Sequence, residues 1–95
     1  MSKLQATVEY AAQLKAAAGI GSETVMVDAP CTVAECVRTA ARRHGDRLRG
    51  LLLDADGSLH ASTLVFVGGE QVRWNEPREL RDGDVITLLP PISGG

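Results

Sequence analysis

The stretch TVAECVRTAARRHG, residues 32–45, carries the strongest structural signal in the sequence. Thr32 and Glu35 have the spacing of a capping box, in which the threonine side chain accepts a hydrogen bond from the Glu35 N–H and the glutamate reaches back. Apolar residues then recur at helical spacing on one face: Val33, Cys36, Val37, Ala40 and Ala41. Gly45 supplies a stop. The stretch therefore predicts an amphipathic helix lying on a sheet.

Two strands and a short helix are predicted before this long helix. Residues 4–10, LQATVEY, alternate apolar and polar side chains, which is typical of a strand with one buried face. Residues 11–18, AAQLKAAA, favour a short helix, and Gly19 stands where a left-handed C-cap belongs. Residues 25–27, VMV, predict the second strand.

Further strands are predicted after the long helix. Residues 51–53, LLL, indicate a buried strand. Residues 63–67 indicate another, which the loop Gly68-Gly69 joins to a returning strand at residues 70–72, because glycine tolerates the positive φ of a type I′ turn. Residues 85–89 form the last strand. This order predicts an α+β fold, a mixed sheet with the long helix across one face.

The amino-acid composition argues against several classes of function. The 95 residues suffice for one small domain, with 44% apolar and 23% charged residues. The net charge of −2 and the 3% aromatic content argue against a nucleic-acid or membrane surface. The N-terminal residues lack an apolar signal segment, and two cysteines are too few for a disulfide framework. We therefore expect a cytoplasmic protein that neither spans a membrane nor binds nucleic acid.

Residues 90–95, PPISGG, have a composition unlike that of the rest of the chain. Proline lacks the N–H that a sheet requires, so Pro90 and Pro91 end strand pairing and favour an extended path. Gly94 and Gly95 lack Cβ atoms and can pass through a narrow slot. Fully extended, such a segment reaches roughly 20 Å. We therefore predict a compact domain over residues 1–89 and a flexible, slender tail over residues 90–95 that carries a terminal carboxylate.

With this order of elements, the chain resembles the β-grasp, or ubiquitin-like, fold, and more narrowly the MoaD/ThiS family of sulfur carrier proteins. The extra helix after the first strand and the Pro-Pro-x-x-Gly-Gly ending are most similar to the small subunit of molybdopterin synthase. Four segments carry the resemblance: YAAQLKAAAG at 10–19, VFVGGE at 65–70, LRDGDV at 80–85 and LPPISGG at 89–95.

The resemblance implies a chemistry for the tail. An E1-like adenylating enzyme would use ATP to activate the carboxylate of Gly95, and a persulfide sulfur from a donor protein would replace AMP to leave a thiocarboxylate. The large catalytic subunit of molybdopterin synthase would then receive the tail and pass its sulfur to a pterin precursor. The protein would be the carrier subunit of a sulfurtransferase, not catalytic alone, with no bound cofactor and no metal. The residues entering the partner's active site would be Pro90, Pro91, Ile92, Ser93 and Gly94.

Other functions remain open at this stage. The protein could carry sulfur to thiamine, cysteine or tRNA thiolation, or it could be a ubiquitin-like modifier that forms isopeptide bonds through Gly95. These chemistries share the adenylate, so the sequence does not separate them. The remaining alternative is a protein that only binds a partner, with no chemistry at its tail.

A structural role is the first expectation for several other residues of suggestive chemistry. Cys31 and Cys36 occupy the two positions of a hydrophobic staple, and their packing is predicted rather than redox chemistry. His44 is expected to cap its helix end and His60 to lie in a turn. Trp74 is expected to cover the edge of the core, with a docking anchor as the alternative. A solvated helix face is expected for the basic residues Arg38, Arg42, Arg43, Arg47 and Arg49.

Overall fold

The structure, a computed structural model, describes residues 2–60, 63–73 and 77–90. The longest helix in these ranges has 11 residues, and none of their helices has the length and apolar character needed to cross a bilayer. The elements in chain order are β1 (Lys3–Tyr10), α1 (Gln13–Ala18), β2 (Ser22–Asp28), α2 (Val33–Arg43), α3 (Asp46–Leu52), β3 (Leu64–Val67), β4 (Glu70–Val72) and β5 (Val85–Leu89).

The strands form one mixed sheet in the order β2-β1-β5-β3-β4. The first and last strands, β1 and β5, pair in parallel at its centre, and the other neighbours are antiparallel. Alternate residues of each strand point into a core that the helices cover, so one face of the sheet is buried and the other is open. The α+β architecture predicted from the sequence is confirmed.

Helix α2 begins at the predicted cap. The Glu35 N–H donates to the Thr32 Oγ1 at 3.1 Å, and the Thr32 hydroxyl donates to the Glu35 Oε1, also at 3.1 Å. The glutamate arm therefore bonds the threonine hydroxyl rather than the threonine N–H. The predicted apolar stripe is buried in full: Val33, Cys36, Val37, Ala40 and Ala41.

The strand predicted at residues 51–53 is wrong. Gly45, with a φ of 83°, lets the chain turn and start a second helix, α3, that continues to Leu52. Leu48 and Leu52 lie four residues apart on one helical face, and both are buried. Only Leu53 has extended backbone, in an isolated bridge with Leu59.

The observed bounds of the other elements are closer to the predicted ones. Gly68 and Gly69 have φ angles of 60° and 87°, as the predicted type I′ hairpin requires. Strand β2 has seven residues rather than the three predicted, because its pairing with β1 extends from Ser22 to Asp28. Helix α1 begins at Gln13 rather than residue 11, since Ala12 has a φ of 53° and turns the chain out of β1. Gly19 ends α1 in the left-handed conformation, as expected.

We predict that Thr32→Ala destabilises the protein by about 1 kcal/mol, because it leaves an orphan N–H at the start of α2. Urea denaturation measures the change in the free energy of unfolding. The matched control is Thr39→Ala on the exposed side of the same helix, where the hydroxyl donates to the Glu35 C=O at 3.0 Å. Alanine is the better helix former, so we expect that control to change stability by less than about 0.5 kcal/mol. Equal losses in both variants would contradict the role of the cap.

Candidate functional site

The candidate site begins where β5 ends. Leu89 is the last residue of this strand, and half-buried Pro90 follows it. Because β5 lies between β1 and β3, the chain leaves from the middle of the sheet rather than from an edge. The predicted site residues Pro91, Ile92, Ser93, Gly94 and Gly95 lie outside the described residues, so their roles stay predictions.

The end of β5 is held on both sides. Leu88 lies beside Tyr10 in the parallel register, and its C=O accepts a hydrogen bond from the Ala11 N–H at 3.2 Å. On the other side, Leu89 lies opposite Leu64, the first residue of β3. The position of Pro90 is thus set by the middle three strands together.

Apolar side chains lie along the open face of β5 and β3, from this point to the start of β5. The side chains of β5 and β3 that alternate with the buried ones are themselves mostly apolar, and Val85 is 37% exposed. Phe66 lies opposite Thr87, and Leu64 opposite Leu89. We call this surface the open-face cluster; it consists of Leu64, Phe66, Val85 and Leu89. Sequence reasoning missed this surface. The signal was that residues 85–89 carry apolar side chains on both faces of the strand, and not only on the buried face.

A network around Glu23 fixes the end of β1 from the core side. The Tyr10 hydroxyl donates to the Glu23 Oε2 at 2.5 Å, and the His44 Nε2 contacts the same oxygen. Arg43 Nη1 lies 3.4 Å from the other carboxylate oxygen, and the Tyr10 and His44 rings meet edge to face at 5.8 Å. The network ties β1, β2 and the end of α2 together. His44 is the C-cap residue of α2, but its ring bonds Glu23 on β2.

The Glu23 side chain is only 12% exposed, and its environment shifts two pKa values. Burial alone would raise the pKa of Glu23, but the hydrogen bonds from Tyr10 and His44, with the nearby charge of Arg43, lower it below the ordinary 4.5. Burial, with the hydrogen bond to Glu23, raises the pKa of Tyr10. Tyr10 therefore stays a hydrogen-bond donor and Glu23 a carboxylate at neutral pH.

The two cysteines are buried and not joined to each other. Burial raises the pKa of Cys36 to about 12 and also raises the pKa of Cys31. Because the thiolate is the reactive form, neither sulfur is suited to nucleophilic chemistry. The predicted packing role is confirmed.

The remaining candidates have structural contacts. His60 Nδ1 lies 2.5 Å from Asp54 Oδ1, which joins the two ends of a turn. Arg49 pairs with Asp46 across one turn of α3. Trp74 lies outside the described residues, so its two expected roles, covering the edge of the core or anchoring a partner, stay predictions.

The mixed sheet, the helix across it and the central exit of the chain define a β-grasp protein of the ubiquitin-like class. The model of the ThiS family matches residues 8–95, so the chain belongs to the ThiS family. The resemblance to MoaD/ThiS sulfur carriers stated from the sequence is therefore confirmed.

Individual relatives agree with this assignment. SAMP1 of Haloferax volcanii, a small archaeal modifier protein, is 27% identical in sequence, with a TM-score of 0.86 over 96% of this chain and 99% of the other. The Amycolatopsis orientalis BexX/CysO complex contains a chain that is 30% identical, with a TM-score of 0.69 over 95% and 99% of the two chains. A candidate sulfur carrier protein of Archaeoglobus fulgidus is 37% identical over 46 residues, so the match spans 46% of this chain and about half, 52%, of that relative.

We predict that Glu23→Gln makes stability less dependent on acid pH. A carboxylate whose folded pKa is lowered contributes stability that is present above about pH 4.5 and is lost as pH falls through the folded pKa. Urea denaturation from about pH 6 to about pH 3 should show a smaller loss for the variant than for the wild type. Glu79→Gln, at an exposed position, is the control and should follow the wild type. Parallel curves for all three proteins would contradict the network's electrostatic role.

Proposed function

We propose that this protein is a sulfur carrier that serves molybdopterin biosynthesis as the small subunit of the synthase, with the thiocarboxylate formed at Gly95. The observation that carries the proposal is the match of the ThiS family model through residue 95, combined with the exit of the chain from the central strand. Pro90 continues from β5 where the sheet holds it on both sides, so a tail beginning there starts from a rigid base.

The proposed chemistry follows from the weakness of a carboxylate as an electrophile. An E1-like partner joins the Gly95 carboxylate to AMP and releases pyrophosphate from ATP. A persulfide of a sulfur donor protein then attacks the acyl carbon and expels AMP, and a thiol cleaves the resulting acyl disulfide to free the thiocarboxylate. The carrier supplies the acyl group, and its partners supply the acids, bases and nucleotide. We assign this exchange to the cytoplasm, where ATP is available.

The open-face cluster is the proposed docking surface for these partners. A six-residue extended tail reaches roughly 20 Å, so a protein that takes Gly95 into its active site must lie close to the end of β5. Leu64 and Leu89 lie opposite each other at that end of the sheet and provide apolar side chains there. Exposed apolar patches with polar surroundings are typical of protein–protein contacts. The activating enzyme and the large synthase subunit would use it in turn.

A protein modifier is the second candidate function. It is supported by the similarity to SAMP1 of Haloferax volcanii, which has the higher TM-score of the two structures compared above. In that case a lysine amine rather than a persulfide would attack the Gly95 adenylate. Carriage of sulfur to another pathway would use the same tail chemistry with a different acceptor.

We predict that the protein gains the mass of one sulfur-for-oxygen exchange when incubated with an E1-like enzyme, ATP and a persulfide donor. Intact-mass spectrometry followed by C-terminal peptide mapping locates the change at Gly95. The Cys31→Ser, Cys36→Ser double variant should gain the same mass, because both thiols are buried. Deletion of Gly95 should abolish the gain.

Two outcomes would contradict this proposal. If the mass gain is absent, or if it maps to a cysteine, Gly95 is not the sulfur-bearing residue. If the same mixture instead yields lysine-linked conjugates that require Gly95, the modifier function is favoured.

We predict that Val85→Asp weakens binding to the activating enzyme at least about tenfold, because it places a charge in the open-face cluster. Isothermal titration calorimetry with purified partner measures the affinity, and circular dichroism checks the fold. Thr39→Asp adds the same charge to the exposed side of α2 and should bind as the wild type does. Equal affinities for both variants would place the docking surface elsewhere.

A further inference from the structure

Strand β2 forms one outer edge of the sheet and is seven residues long. Its register against β1 is unbroken from Glu9↔Ser22 to Lys3↔Asp28. The opposite edge, β4, has only three residues. A long, regular edge strand exposes backbone donors and acceptors with which another strand can pair.

The alternation of hydrogen bonds identifies the residues of β2 that face outward. The Tyr10 N–H donates to the Gly21 C=O at 2.8 Å, and the Ala29 N–H donates to the Ser2 C=O at 2.9 Å. Because bonded residues alternate in an antiparallel pair, the odd-numbered residues of β2 bond to β1. The even-numbered residues direct their N–H and C=O groups away from the sheet: Ser22, Thr24, Met26 and Asp28.

Little covers this edge. Arg43 of α2 donates to the Thr24 C=O over a long 3.4 Å. Within the described ranges, no hydrogen bond reaches the outward backbone groups of Met26, and its side chain is 54% exposed. Natural proteins blunt edge strands with lysine, proline, bulges or inward-pointing charges; β2 has no lysine, proline or bulge, and its inward-pointing Glu23 is paired with residues on the core side.

The strand is complementary to a second copy of itself. When two copies run antiparallel about Val25, all seven residues overlap, and each outward-facing residue meets another outward-facing residue. The opposing pairs are then Ser22 with Asp28, Glu23 with Val27, and Thr24 with Met26. No like charges lie opposite each other, and the exposed Met26 gains a neighbour across the pair.

The flank of α2 beside this edge has complementary charges as well. Arg43 marks the flank because it reaches Thr24, and Glu35 and Thr39 precede it at spacings of four residues on the same helical face. All three residues are exposed. A two-fold rotation reverses the helix direction, so the end of this flank that carries Glu35 in one copy points the same way as the end that carries Arg43 in the other.

We propose that a second copy of this chain pairs with β2 and joins the two five-stranded sheets into one continuous sheet with two-fold symmetry. A single strand pair with two helix flanks makes a modest interface, so the association should depend strongly on concentration. It uses neither the tail nor the open-face cluster. The proposal is therefore independent of sulfur transfer.

Sedimentation velocity of the full chain tests the proposal. The weight-average mass should rise with concentration from 10.1 kDa toward twice that value. Met26→Pro removes an outward N–H that the β1–β2 pairing does not use, and it should weaken association at least about tenfold. Met26→Thr retains that N–H and is the matched control, so it should associate more tightly than the proline variant. Deletion of Gly94 and Gly95 should leave the association unchanged.

Amide hydrogen exchange gives a second readout that does not depend on a variant. Protection of the Thr24 and Met26 amides should rise with protein concentration, whereas Val25, already bonded to β1, should not change. A wild type that stays monomeric at all concentrations would overturn the proposal, and so would a proline variant that associates as the wild type does. A monomer whose Thr24 and Met26 amides are protected only by an added alternating Val-Thr peptide would assign the edge to a foreign strand and also overturn it.

Discussion

The parallel pairing of β1 with β5 is the constraint on which the rest of the structure depends. It joins the first and the last strands of the chain at the centre of the sheet, with Thr7 beside Val85 and Tyr10 beside Leu88. Such a pairing closes a long loop, and the packing of the segments between the two strands offsets the entropic cost of that closure. Because β5 has a neighbour on each side, its final residues cannot fray as an edge strand would. The exit at Pro90 is rigid for this reason.

The opposite side of the same pairing is supported by α2 and the Glu23 network. The buried stripe of α2 covers the core, while Tyr10, at the end of β1, donates to a carboxylate that His44 and Arg43 also contact. A buried carboxylate is costly unless it is paired and hydrogen-bonded, and here β1 and the end of α2 supply its partners. The polar network therefore fixes how the end of α2 meets the first two strands.

Two surfaces in the described part of the chain are proposed to contact other proteins. The open-face cluster lies beside the exit of the chain, and the free edge of β2 lies on the far side of β1. Because the two surfaces are separate, pairing of two copies through β2 would leave both exits and both clusters uncovered. A dimer would present two tails to its partners without altering the chemistry of either. This separation is compatible with the proposed sulfur carriage, in which only the sulfur atom passes to the acceptor.

Local signals in the sequence determined the elements that depend on neighbouring residues. The Thr32 cap, the apolar stripe behind it, the Gly68-Gly69 hairpin and the break at Pro90 each follow from stereochemistry within a few residues. The family resemblance, which the ThiS match confirms, rested on the order of such elements.

The tertiary structure alone decided the features that depend on distant residues. Leu51 and Leu52 became part of a helix because Leu48 and Leu52 share a buried face, which a window of three leucines does not reveal. The Glu23 network, the open-face cluster and the outward groups of β2 join residues far apart in the chain or depend on strand order. The physical reason is that a side chain's burial and a strand's hydrogen-bond partners are set by what packs beside them.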